Sequence, residues 1–180
     1  MKKKNKKNIH NIIFLIISIV LVGLAFLPVV GLNAELELQT LNLTYDGFEI
    51  MFGKSINELS GYISVNGNLD VKIKLNIMTI LVYFLPILGY GLMKLLKKDD
   101  QTLGFTMVVT FLISTVLTFL ITNISNLEVS EYAGIGLLDT YVLSLKEVGF
   151  TPLYGTYIIG FILCVSTIYS FYVASRKNNK

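Results

Sequence analysis

The stretch IHNIIFLIISIVLVGLAFLPVVGL, residues 9–32, decides the fold. It contains no Asp, Glu, Lys or Arg, and it follows the basic start KKKNKK at residues 2–7. At about 1.5 Å of rise per residue, a helix of this length crosses a hydrocarbon core about 30 Å thick. A lone segment inside hydrocarbon must satisfy its own backbone donors and acceptors, which a helix does. The run exceeds the apolar region of about 7–15 residues in a cleaved leader, and no small-x-small site closes it. It therefore reads as an uncleaved first span. Pro28, near its far end, is expected to bend the last turn or to end the helix just after it.

Three similar runs follow, at residues 77–96, 103–122 and 153–174. Pro86 lies inside the second, with Gly89 and Gly91 close behind, and predicts a kink. The composition agrees: 53% of the 180 residues are hydrophobic and mean hydropathy is +0.66. Charged residues make up 15%, against about 25% in soluble domains. The expected fold is an all-α membrane bundle of four transmembrane helices in one domain, 1–180, with outer loops at 33–76 and 123–152.

The charges carry the topology. Eleven of the fifteen basic residues fall in 2–7, 94–98 and 176–180, whereas ten of the twelve acids lie in the two long loops. Basic segments stay on the cytoplasmic side, and these three share a side only if the chain crosses four times. Both termini are thus expected in the cytoplasm, in the cell membrane. The basic residues read as a topology signal that also meets anionic lipid headgroups, and no nucleic-acid partner is expected. All but one of them are Lys, a bias that fits the A/T-rich coding of a low-GC bacterium.

The first loop reads as a small antiparallel β-sheet. Leu36 and Leu38 alternate with polar residues, the phase slips at Thr40, and Leu41, Leu43 and Tyr45 resume it, which predicts a bulge. Asp46-Gly47 reads as a turn leading to a strand at 48–52. Ser55 and Glu58 have capping-box spacing for one helical turn. Tyr62 to Val65, Asn66-Gly67 and Leu69 to Leu75 read as a hairpin. In the second loop Leu137, Leu138, Tyr141, Val142 and Leu145 share a helical face, which predicts an amphipathic helix ended by Gly149; a strand completing the sheet is the alternative. Thr151-Pro152 resembles an N-cap followed by proline at the first helical position. Phe26-Leu27-Pro28-Val29-Val30-Gly31 is echoed by Phe84-Leu85-Pro86-Ile87-Leu88-Gly89, a transporter-like hint of an inverted repeat.

The third span carries a hydroxyl row, Thr106, Thr110, Ser114, Thr118 and Thr122, with Thr115 beside it. The fourth carries Thr156, Gly160 and Cys164. Small and hydroxylated residues at four-residue spacing let helices approach closely, so helix packing is the favoured reading; a pore lining is the other. Cys164 is expected to be a small buried residue, and as the single cysteine it forms no intrachain disulfide. Deep ionisable side chains mark proton and ion paths. The spans place none of Asp, Glu, Lys, Arg or His there, with His10 and Lys94 at the cytoplasmic ends. His10 has no partner in sight along the sequence. Asn66, Asn68 and Asp70 faintly resemble the start of a calcium loop, but the distal Glu is missing. The acids Asp46, Glu49, Glu58, Glu128, Glu131 and Asp139 show no pairing. No catalytic residue, metal ligand or cofactor is expected, and the chain reads as no enzyme.

The layout is similar to that of claudin-type tetraspans: four spans, both ends inside, a β-rich first outer loop leading into the second span, and a shorter second loop. The first loop lacks the tryptophan and cysteine pair of those families, so no residue role is carried over. The expected function is contact with a membrane or extracellular protein partner, or with further copies of itself, in an accessory, assembly or immunity-type role. A small oligomeric channel or transporter is the alternative.

Overall fold

The first helix stops well short of the end of the apolar run. The computed structural model describes residues 2–36, 39–56, 68–97, 99–125, 127–132 and 149–176. Helix α1, Lys2–Gly23, passes through a 3-10 turn, Leu24–Phe26, into strand β1, Pro28–Leu36. The cause is local. A residue before proline is pushed out of the helical region, and Leu27 is extended at φ −80°, ψ 145°. Pro28 thus opens a strand and bends no helix, and the first apolar window is Ile9–Phe26 rather than 9–32. Val29, Val30 and Leu32 instead fill the centre of a sheet, where they are buried.

Strand β2, Gln39–Asp46, pairs antiparallel with β1, Leu32 opposite Leu43. The register slips between Pro28 and Val30, not at Thr40. Asp46 then caps helix α2, Gly47–Phe52, where a strand was expected. The carboxylate of Asp46 accepts from the Glu49 amide at 2.7 Å, and the Glu49 side chain accepts from the Asp46 amide at 3.1 Å. This capping box outweighs the turn tendency of Asp-Gly. Strand β3, Lys54–Ser55, follows, so Ser55 is in a strand. Residues 57–67, which include Asn57, Glu58 and the 62–67 half of the expected hairpin, lie outside the described residues. Strand β4, Asn68–Ile73, pairs with β3 and with residues Leu127–Tyr132.

The long helices are α3, Ile77–Leu95, and α4, Asp100–Phe119. Pro86 lies within α3, where it cannot donate to the carbonyl of Val82. Lys97 adopts φ 50° to close the turn, and Asp99 caps α4 through the amide of Thr102. A short helix α5, Ile121–Ile124, leads to strand β5, Leu127–Tyr132. Residues 133–148, with the expected amphipathic helix, lie outside the described residues. Strand β6, Gly149–Pro152, precedes helix α6, Tyr154–Ser175. Thr151 and Pro152 are thus strand residues, and Leu153 occupies the cap.

The strands form two three-stranded sheets, ordered β2-β1-β6 and β3-β4-β5. Each takes one strand from the second loop, Leu127–Tyr132 or Gly149–Pro152, and the segment read as helix or strand, 137–145, lies outside the described residues. Among the described residues all six strands lie at one end of the bundle, opposite the α3–α4 turn. Helix α4 packs chiefly on α6 and α3, and α1 leans on α3. Four helices are long and apolar enough to cross a membrane. Their outward faces carry Ile12, Ile16, Leu88, Leu112, Phe161 and Ile168, all exposed. A water-facing helix would be polar there. The Phe26–Gly31 echo is no structural repeat: its first copy is turn and strand, and its second is helix interior.

Candidate functional site

The hydroxyl row of α4 faces inward, and Thr106, Thr110 and Thr118 spend their hydroxyls on their own helix. Thr110, Ser114 and Thr118 are buried, while Thr106 and Thr122 at the ends are half-buried. Four residues at about 100° each overshoot a turn by about 40°, so the row drifts off the buried face on both sides of Ser114. Thr106 donates to the carbonyl of Thr102 at 3.0 Å, Thr110 to Met107 at 3.2 Å and Thr118 to Ser114 at 2.8 Å. Such back-bonding lets a hydroxyl sit in an apolar bundle without a partner helix.

Close approach is secured by glycines. A Cβ on Gly89 of α3 would lie 2.7 Å from Thr110 Cγ2, one on Gly104 2.8 Å from the Ala174 amide nitrogen, and one on Gly160 2.7 Å from the Phe119 ring. Gly160 is therefore a packing position. Cys164 is not: it is exposed. The same 40° drift carries it out of the Thr156–Gly160 row, and Leu163 and Ser166 take the buried face. Ser166 and Ser170, which the spacing argument passed over, are buried and back-bond to Ile162 and Ser166 at 2.7 Å each. Their phase with Ile159 and Leu163 was the available signal.

Three buried hydroxyls have no hydrogen-bond partner among the described residues: Thr79, Tyr83 and Ser114. Thr79 and Tyr83 are one turn apart on α3. Counting rise from the Gly89–Thr110 contact, Tyr83 and Ser114 differ in depth by about 3 Å. The Tyr83 hydroxyl lies over Gly47, where a Cβ would come within 2.2 Å of it. Tyr83 escaped the sequence reading because a tyrosine in an apolar run looks like any other aromatic.

Two polar joints tie the loop elements to the bundle. Asn76 caps α3 by accepting from the Thr79 amide at 3.2 Å, and its side-chain amide donates to the Ile124 carbonyl at 2.7 Å. Its own backbone N–H donates to Met51 at 3.1 Å. One buried residue thus joins α2, α3 and α5. At the head of α6, the Thr156 hydroxyl and the Leu153 amide both donate to the Val29 carbonyl, at 2.6 and 2.9 Å. Gly155 makes this possible, since a Cβ there would lie 2.3 Å from the Pro28 oxygen.

At the opposite end His10 is partnered, contrary to expectation. The Arg176 guanidinium donates to Nε2 at 3.1 Å, and Nδ1 lies 2.6 Å from the Tyr169 hydroxyl. A guanidinium only donates, so Nε2 accepts and the ring proton sits on Nδ1, facing Tyr169. Lys94 lies 5.6 Å from the Tyr90 ring. Of the loop acids, Asp46 and Glu49 form the capping box, and Glu49 also pairs with Lys54. Asp70, Glu128 and Glu131 sit in the β4–β5 ladder, and Glu58, Asn66 and Asp139 lie outside the described residues. Among the described residues no three His, Cys, Asp or Glu side chains converge as metal ligands. No known family model, curated protein or solved structure matches the chain.

Proposed function

We propose that the chain is a multi-pass membrane protein that works by contact, presenting its sheet end to a membrane or extracellular protein partner or to further copies of itself. Both termini are cytoplasmic in this reading, because the three basic segments fall at the end opposite the sheets. The observation that carries it is the shared make-up of the sheets. Each takes a strand from the second loop, Thr156 fastens β1 to α6, and Asn76 ties the short helices α2 and α5 of the two loops to α3. A surface assembled from both loops and held on the bundle suits recognition. The row at Thr106, Thr110, Ser114, Thr118, Gly160 serves helix packing, and no enzymatic step is assigned. The test is purification from native membranes in mild detergent, with mass spectrometry of what co-purifies. A stoichiometric partner is expected; a pure homo-oligomer that conducts in liposomes would overturn the reading.

A channel or transporter is the second reading, favoured by the unpartnered buried hydroxyls of Thr79, Tyr83 and Ser114. Thr110→Val with Ser114→Ala separates the two. A pore changes its conductance or uptake; a packing face changes only stability or assembly.

A further inference from the structure

We propose that Phe26, Phe48 and Phe52 seat the sheet end of the molecule in the headgroup boundary of a lipid bilayer, through a short helix lying at the membrane surface. The inference rests on the multi-pass reading. Phe26 and Phe48 stack with centroids 5.5 Å apart, and Phe48 and Phe52 lie 4.7 Å apart. All three remain exposed, at 65%, 43% and 51%. The rings cannot fold inward, because the other face of α2 is already committed: Gly47, Ile50 and Met51 are buried. The capping box of Asp46 and Glu49 fixes where the helix starts, and Tyr83 closes over Gly47.

The level of the cluster is set by the backbone. Phe26 is the last residue of the first apolar window. At the other end of α2, the Met51 carbonyl accepts from Asn76, the residue immediately before α3. The cluster therefore lies where two apolar helices emerge. On the helix side α2 packs against the 3-10 turn that ends α1 and against α3, and the exposed residues of these two long helices include Ile19 of α1 and Ile77 of α3. On the sheet side charge begins at once: Glu49 pairs with Lys54, which stands over the Tyr45 ring. A short helix that holds exposed aromatic rings between an apolar belt and a charged layer matches the membrane–water boundary. Continuity with the apolar faces of α1 and α3 selects lipid as the occupant.

The chain has no tryptophan, so single substitutions report depth directly. Phe26→Trp, Phe48→Trp and Phe52→Trp are reconstituted separately as the full chain in phosphatidylcholine vesicles carrying bromine either near the headgroup or deep in the acyl chain. Leu112→Trp, exposed in the middle of α4, is the depth control. The expected result is blue-shifted emission, quenched strongly by the shallow bromine and weakly by the deep one, with the reverse for Leu112→Trp. Water-like, unquenched emission at the phenylalanine positions beside a quenched Leu112→Trp overturns the proposal and leaves the multi-pass reading standing. Blue-shifted emission that neither bromine quenches also overturns it, and assigns the cluster to a protein contact. An unquenched Leu112→Trp overturns the multi-pass reading and the proposal together. The three positions report independently, so one variant that fails to fold leaves the test intact.

Discussion

Gly104→Ala should destabilise the bundle, although alanine is the better helix former. The added Cβ would lie 2.8 Å from the Ala174 nitrogen, 3.1 Å from its Cα and 3.2 Å from the Val173 carbonyl carbon. These are backbone atoms of α6 and cannot rotate away, so the α4–α6 pair must separate. Overpacking of this kind costs about 1–3 kcal/mol. The gain in helix propensity returns up to about 1 kcal/mol. The matched control is Gly91→Ala in α3, where an added Cβ meets nothing within 4 Å, leaving only the propensity gain. The two variants should therefore differ by about 1–3 kcal/mol, with Gly104→Ala the weaker. At roughly 2–4 °C per kcal/mol, the midpoints separate by several degrees. The assay is loss of the monodisperse peak on size-exclusion chromatography after heating in detergent, read for the parent and both variants. A Gly104→Ala midpoint equal to or above that of Gly91→Ala would refute the claim that α4 and α6 touch backbone to backbone.

Other substitutions probe the joints. Asn76→Ala removes the α3 cap and the bond to the half-buried Ile124; a loss of about 1–3 kcal/mol is expected in the same heating assay, and an unchanged midpoint would count against the joint. Asp46→Ala breaks the capping box and should cost about 1 kcal/mol, seen as faster amide exchange across Gly47–Phe52 while the long helices keep their protection. His10→Ala loses the bonds to Tyr169 and Arg176, and about 1 kcal/mol of stability should go with them; His10→Phe, which keeps the ring packing but not the bonds, should be no better.

Much of the helical layout was legible because few arrangements suit twenty consecutive apolar residues. The second run, 77–96 with Pro86 inside it, coincides with the helix Ile77–Leu95 almost to the residue. The errors fell where one local pattern has two outcomes. Asp46-Gly47 is a turn signal and also a helix cap, and Glu49 three residues on decides for the cap. Thr151-Pro152 has the letters of a helix start, but its backbone is claimed by strand β1, with Gly31 opposite Thr151. Cys164 looked like a buried small residue because letters four apart resemble one face; the 40° drift moves it outside.

The sequence by itself determined that four long apolar helices form and that charge differs between the two ends, because these depend on contiguous composition and on the 1.5 Å rise. Only the tertiary structure decided where the first apolar run turns from helix to strand, and that β1 is closed by β6 and β4 by β5. A strand buried on both faces reads as a continuous apolar run, as a buried helix does. Backbone hydrogen bonds between residues far apart in the chain, such as Val30 opposite Pro152, leave little trace in the side chains nearby.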